Sequence, residues 1–364
     1  MKIYPDKIYG FENKQGRNFY VILPNGTDLD LSIADSHYYK STQILLCGNH
    51  IDTEHSVPFL LEHVVEDGSD VLFIPYQYYK ADNVLPASAD VNDTKRFLML
   101  GCPPTTSATP EVIQHFLNVV YNTNAAAFVA RADEFFVKLG DSRYIRVLDK
   151  VYGTEARIPI TSNLLFTELC GIAKGGEIGV IPCGEVAITP VQHANRSKTD
   201  AIKMDGEIIW HGMTIIHCSS TMNNIPIPEH QQLYRDFSSL KNGAMKLELE
   251  DGYITKITAL DAHVLPAVKA LERLLEQEPR YKAFFELGIG FNTEMDLYDI
   301  NSAMNESYGG DYRCIHFAVG SAGMDYHFDI ICPNTLLIAE NGNILAENNA
   351  GLRFHQTQNM AIEA

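Results

Sequence analysis

The chain has 364 residues, 46% of them apolar and 20% charged, an ordinary globular composition with length enough for two domains and sizeable cores. A formal net charge of -18 argues against nucleic acid or an anionic membrane as a partner, because both need a basic face. No apolar run approaches a membrane span, and Met1-Lys-Ile-Tyr-Pro-Asp6 does not read as a signal peptide. The cysteines (Cys47, Cys102, Cys170, Cys183, Cys218, Cys314 and Cys332) are scattered and odd in number, which reads as a reducing cytoplasm rather than a disulfide framework.

Residues 1–155 alternate strand, loop and helix. Phe19 to Leu23, Ile44 to Cys47, Val71 to Ile74 and Phe97 to Leu100 are short apolar runs followed by turn or polar residues, the pattern of an open, mostly parallel sheet in an α/β domain. His50, Asp52, Glu54, His55 and His63 are a tempting metal cluster, but without recognised ligand spacing they read as a polar loop beginning a helix. Tyr76, Tyr78 and Tyr79 make an aromatic loop suited to core or interface packing. In Gly101-Cys-Pro-Pro-Thr-Thr-Ser-Ala-Thr109-Pro110 a strand ends, and Thr109 caps a helix whose first position is proline. Val112, Ile113, Phe116, Leu117 and Val120 follow helical spacing, and a second helix from Arg131 to Leu139 stops at Gly140. No GxGxxG or phosphate loop is present, so no nucleotide is assigned.

From about residue 156 to 364 the texture becomes an α+β, hairpin-rich domain expected to carry the site. Asp205-Gly206, Asp251-Gly252 and Asn341-Gly342 each separate alternating runs and predict two-residue turns. An amphipathic helix from His263 to Glu278 lines up Val264, Val268, Leu271 and Leu275, tolerates Pro266 in its first turn and ends before Pro279. Glu185, at a glycine turn entering an apolar strand, is either a pocket ligand or a turn residue bonding backbone amides. Glu286 precedes the glycine-punctuated Leu287-Gly-Ile-Gly290, where backbone can approach something closely. His316 alone reads as a satisfied core histidine. His327 and Asp329 point to the same side of one strand, roughly 6.6 Å apart in rise, and both reach one ion. Two imidazoles and three carboxylates in one domain suit a divalent metal site built for hydrolysis.

Four motifs in order, Pro182-Cys-Gly-Glu185-Val-Ala-Ile-Thr-Pro190, Glu286-Leu-Gly-Ile-Gly-Phe-Asn292, Ile315-His316-Phe-Ala-Val-Gly320 and His327-Phe-Asp329, resemble the aminopeptidase T-like, metal-dependent leucyl aminopeptidases. The resemblance covers about residues 175 to 347. It implies that Glu185, Glu286, His316, His327 and Asp329 are ligands of one or two zinc, cobalt or manganese ions. In that reading Glu185 also shuttles a proton, and Tyr326 or Tyr308 donates a hydrogen bond to a developing oxyanion. The implied substrate is a small peptide or amide, and the implied assembly a cytoplasmic homodimer. Asn305-Glu306-Ser307 departs from the family's Asp-Glu-Lys, only ten residues separate His316 from His327, and His193 with Asn195-Arg196-Ser197-Lys198 replaces an acidic segment. The same fold family resembles iron-dependent dihydroxypyridine ring-opening dioxygenases, for which His316, His327 and Asp329 supply a two-histidine, one-carboxylate Fe(II) set and the substrate is a small aromatic. A third reading keeps the fold as a peptide-binding or scaffold partner in a biosynthetic pathway.

Overall fold

The computed structural model describes residues 1–26, 29–48, 56–75, 91–101, 109–191, 201–218, 227–320 and 324–354. His50, Asp52, Glu54 and His55, the tyrosine loop, and His193 with residues 195–198 lie outside the described residues. The first half contains β1 (Lys2–Ile3), β2 (Asn18–Pro24), β3 (Ser32–Ile33), β4 (Ser41–Cys47), α1 (Val57–His63), β5 (Ser69–Phe73), β6 (Arg96–Leu100), α2 (Pro110–Asn122) and α3 (Ala125–Leu139). Then follow β7 (Tyr144–Asp149), β8 (Thr154–Pro159), β9 (Leu164–Leu169), β10 (Ile178–Ile181), β11 (Glu185–Pro190), β12 (Asp205–Trp210) and β13 (Met213–Cys218). The remainder is α4 (Ile227–Ser238), β14 (Met245–Glu250), β15 (Tyr253–Ala259), α5 (Leu265–Gln277), β16 (Phe284–Gly290), β17 (Cys314–Val319), β18 (Tyr326–Cys332), β19 (Thr335–Ala339) and β20 (Ile344–Glu347).

The architecture mixes α and β, with a two-stranded parallel pair, β1-β3, a five-stranded parallel sheet and two larger antiparallel sheets. The parallel sheet runs β10-β6-β5-β2-β4, and the four apolar runs expected as strands fall in β2, β4, β5 and β6. Every residue of β2 is buried, because alternate side chains enter different layers. Tyr20 and Ile22 join a cluster with Leu60 and Leu61 of α1, while Phe19, Val21 and Leu23 join one with Ile113, Phe116 and Leu117 of α2. Thr109 caps α2 as expected, its hydroxyl accepting from the Val112 amide at 3.4 Å, a device worth about 1 kcal/mol. The second helix begins earlier than Arg131, since the Asn124 side chain caps α3, and it stops at Gly140 with φ +51°. His63 ends α1, exposed beside Glu62.

Two antiparallel sheets make up the rest, ordered β13-β18-β17-β16-β11-β9 and β15-β14-β12-β8-β7-β19-β20. Val186, Leu287, Phe317 and Ile330 of the first share one apolar cluster with Val147, Ile208, Trp210 and Leu247 of the second. The α5 helix contributes Val268, Leu271 and Leu275 to this core, close to the periodicity expected, after a 3-10 turn at Ala262–Val264. The sheets do not divide at residue 155. β7 already belongs to the seven-stranded sheet, and β10 returns to the edge of the parallel one.

The Asp251-Gly252 turn joins β14 to β15, with φ of +50° and +85° at its two residues, and Asn341-Gly342 lies in the β19–β20 hairpin loop. The Asp205-Gly206 hairpin is corrected: both residues lie inside β12, where Gly206 pairs with Leu249. Any Cβ at Gly206 would fall 2.7 Å from Ala156 Cα, so this glycine serves a close strand contact rather than a turn.

Candidate metal centre

The register of the six-stranded sheet decides which polar side chains meet. His217 of β13 pairs with His327 of β18, Asp329 pairs with Ala318, and Ile331 pairs with His316 of β17. Ala318 pairs with Glu286 of β16, Gly288 with His316, and Gly290 with Glu185 of β11. Period-two alternation therefore places Glu185, His217, Glu286, His316, His327 and Asp329 on one face. The opposite face, with Ile289, Phe317, Phe328 and Ile330, belongs to the apolar core. Small residues make room on the polar face: a Cβ at Gly288 would collide with His316 Cε1 and Nε2, so the bare backbone there lets the imidazole lie across the strand. β10 ends at Ile181, and the chain enters β11 through Gly184 at φ +144°. Glu185 thus sits just beyond the carboxyl end of a parallel strand, where α/β folds place ligands.

Within this face the donor atoms converge. His327 Nε2 lies 3.2 Å from Asp329 Oδ1 and 3.7 Å from Glu286 Oε2, while His316 Nε2 lies 3.9 Å from Glu286 Oε1 and 3.7 Å from Asp329 Oδ1. His327 Nδ1 is 2.5 Å from the Gly320 carbonyl, which makes Nδ1 the donor and turns Nε2 toward the carboxylates. Glu185, Glu286 and His316 form one set of ligand atoms lying within 4.8 Å of one another, and Glu286, His327 and Asp329 form a second. All five residues expected as ligands are therefore brought together, with Glu286 common to both sets.

Two further residues join them that sequence reading missed. His217 Nε2 pairs with Glu306 Oε1 and lies 3.1 Å from Asp329 Oδ2, giving a third convergent set, His217, Glu306 and Asp329. Glu306 rides on a 3-10 turn, Ala303–Ser307, that asparagines hold in place. Asn301 accepts from the Ile216 amide at 2.7 Å and donates to the Ile216 carbonyl at 2.8 Å, fastening the segment to the edge of β13. Asn305 donates to the carbonyls of Tyr298 and Ile300. The available signal for His217 was its place in Met213-Thr-Ile-Ile-His-Cys218, a single imidazole at the alternate position of an apolar strand.

The electrostatics are those of charges packed out of water. Burial pushes the Glu185 carboxyl up to about 8, with His316 opposing and the neighbouring Glu306, Glu286 and Asp329 adding to the rise. Burial works against a charged His316, yet Glu286, Asp329 and Glu185 outweigh it and lift the imidazole to about 10. His327 rises to about 9 for the same reasons, burial being overcome by Asp329 and Glu286. His217 is raised well above its ordinary value by Glu306 and Asp329 against burial. Asp329 is held far below the carboxylate range: the three imidazoles outweigh its burial. Protons on nitrogen thus do the neutralising that a cation would otherwise do.

A divalent metal fits this arrangement. Glu185 Oε2 and His316 Nδ1 are buried without a hydrogen-bond partner, and the buried oxygens of Asp329 meet only titratable imidazoles, a costly state that coordination relieves. Each of the three sets is one imidazole and two carboxylates, donors suited to zinc, manganese or iron.

Neither tyrosine named as an oxyanion donor reaches the site. Tyr326 alternates to the opposite face from His327, where its ring lies 5.5 Å from His230 and 5.7 Å from Phe328 and borders a cleft of about 680 Å³ between α4 and α5. The Tyr308 hydroxyl donates to the Gly351 carbonyl and accepts from the Arg353 amide, both at 2.9 Å. Among the described residues no helix is long and apolar enough to cross a membrane.

Solved structures that this chain resembles include two at low identity. One is 2,5-dihydroxypyridine dioxygenase from Pseudomonas putida KT2440, at 15% identity over 91% of each chain with a TM-score of 0.48. The other is wild-type AmpT from Thermus thermophilus, at 10% identity over 93% of this chain and 94% of that one, with a TM-score of 0.45. No curated protein matches the chain. The expected aminopeptidase T-like membership is thus corrected to a distant resemblance of fold. A family profile described as crocagin biosynthetic protein CgnE/B matches residues 61–339, and the chain belongs to that family.

Proposed function

We propose that this chain is a metal-dependent, aminopeptidase-like hydrolase that uses a pair of divalent ions on a small peptide or amide within a biosynthetic pathway. The observation that carries the reading is the overlap of two donor sets in Glu286, whose Oε1 faces His316 and whose Oε2 faces His327. A carboxylate with its two oxygens turned to two sets is suited to bridging neighbouring ions. Zinc, cobalt or manganese held there would polarise a carbonyl and acidify water.

The chain's own residues supply the rest. Gly320 fixes the tautomer of His327, and Gly288 leaves space for the His316 ring. Glu185, a member of the first donor set whose carboxyl is pushed by burial up to about 8, would accept a proton and pass it to a leaving amine. Membership of the crocagin biosynthetic family supports a dedicated pathway step over general peptide turnover.

One observation favours a second reading: His316 Nε2 and His327 Nε2 both approach Asp329 Oδ1, at 3.7 and 3.2 Å, and these are the residue types of a two-histidine, one-carboxylate iron site. The test is to reconstitute the protein with Zn²⁺, Co²⁺ or Mn²⁺ and assay short peptides and aminoacyl amides. Hydrolysis is expected, and Glu286→Gln should abolish it. A metal-loaded protein that cleaves none of them but consumes oxygen with dihydroxylated rings in the presence of Fe(II) would move the reading to the dioxygenase. A protein that holds no metal would leave the binding or scaffold role.

A further inference from the structure

We propose that His217, Glu306 and Asp329 form a further divalent-cation position, beside the pair that shares Glu286. The proposal rests on the metal-centre reading above and extends it to residues outside the two-ion set. Asp329 is the pivot. Its Oδ1 is turned to His327 and its Oδ2 to His217, at 3.2 and 3.1 Å, so its two oxygens serve two different positions. Neither oxygen has a hydrogen-bond partner besides these titratable imidazoles, and the residue is 1% exposed. One oxygen of this carboxylate therefore lies outside the donor sets around Glu286 and is aimed at His217.

The imidazole does not explain the arrangement by itself. His217 Nε2 faces two carboxylates, Glu306 and Asp329, and the single proton this nitrogen can carry satisfies one of them. A divalent ion would satisfy both, with the imidazole turned from donor to ligand. The three ligand atoms already lie within 4.8 Å of one another. They are also held in place, because Asn301 clamps the Ile216 backbone next to His217, and Asn305 braces the turn that carries Glu306. One imidazole nitrogen with two carboxylates suits Mn²⁺, Zn²⁺ or Fe²⁺.

The His217 and Glu306 side chains are 24% and 23% exposed, against 2% for His316. This position therefore borders solvent, and repulsion from the neighbouring pair adds to the cost of filling it. It should be the last to fill and the first to empty.

The experiment is a Mn²⁺ titration of the full chain after chelator treatment, following the loss of the free-ion electron paramagnetic resonance signal. Wild type should take up three equivalents, the third most weakly. His217→Ala and Glu306→Gln should each lose that weak equivalent and keep two, while His316→Ala should lose a tight equivalent and keep the weak one. Two equivalents in wild type and in both variants would overturn the proposal and reduce His217 and Glu306 to an ion pair, with the two-ion centre intact. No uptake by wild type would overturn both readings. Thermal melting of the metal-free variants reports folding, and if one fails to fold, the wild-type count decides: two or fewer equivalents contradicts the third position.

Discussion

Two buried aspartates in this molecule show opposite treatments of the same cost. Asp70, at the start of β5, is fully buried and saturated by the chain itself. Its Oδ1 accepts from Arg17 Nε and Arg96 Nε at 2.7 Å, and its Oδ2 from Arg96 Nη2 at 2.6 Å and the Tyr39 hydroxyl at 2.7 Å. Asp329, in β18, is as deeply buried, yet its partners are imidazoles, His327 Nε2 at 3.2 Å from Oδ1 and His217 Nε2 at 3.1 Å from Oδ2, amid other carboxylates. A carboxylate buried for structure brings fixed cations and hydroxyls with it. One left among weak, titratable partners in the interior is arranged for something the chain does not supply.

Removing the carboxylates one at a time separates the two roles. Asp70→Ala strands Arg17 and Arg96 at the amino-terminal end of the central parallel strands and should cost about 3–5 kcal/mol in urea unfolding, with metal uptake unchanged. A loss below about 1 kcal/mol would mean that the arginines are solvated and that the contrast with Asp329 is false. Gly288→Ala attacks the other side. The added methyl must displace the His316 ring, so a strain of about 1–3 kcal/mol is expected, together with loss of the ion held by Glu185, Glu286 and His316. Unchanged metal content in that variant would show that the ring does not need the bare glycine.

A smaller effect distinguishes the regions by pH. In metal-free protein burial is overcome by the neighbouring carboxylates, which push His316 and His327 up from the ordinary 6.5 to about 10 and about 9. A raised folded value means that the stabilisation is complete below about 6.5 and is lost as pH climbs through 9 and 10. The melting temperature of the metal-free protein should therefore fall between pH 7 and 10. Metal-loaded protein should show a flatter profile, since ligating nitrogens carry no proton to lose. Parallel profiles with and without metal would break this account of the imidazoles.

The sequence made some of this legible and hid the rest for physical reasons. The parallel strands stood out because burial on both faces writes them as unbroken apolar runs, as in β2. The start of α2 and the turn at Asp251-Gly252 were readable because a cap and a left-handed pair act locally. Asp205-Gly206 carries the same dipeptide as that turn, but there the glycine answers to Ala156 across the sheet, a contact no local pattern encodes. Glu185, Glu286, His316, His327 and Asp329 were found because each sits in a short motif. His217 and Glu306 were not, because they meet across 89 residues through strand register and a turn pinned by asparagines. Tyr326 was misplaced by proximity in sequence: adjacency to His327 in a strand puts it on the other face.

The most direct test of the central claim is metal content per chain in protein purified without chelator or a metal-binding tag, for wild type beside Asp329→Asn. Wild type is expected to carry at least two divalent ions. Asp329→Asn should lose the ions held with His327 and His217 while the metal-free fold still melts cooperatively, whereas Asp70→Ala should lose stability and keep its metal. Wild type that stays metal-free after saturation with Zn²⁺, Mn²⁺ and Fe²⁺, or an Asp329→Asn variant that retains full metal content, would contradict it.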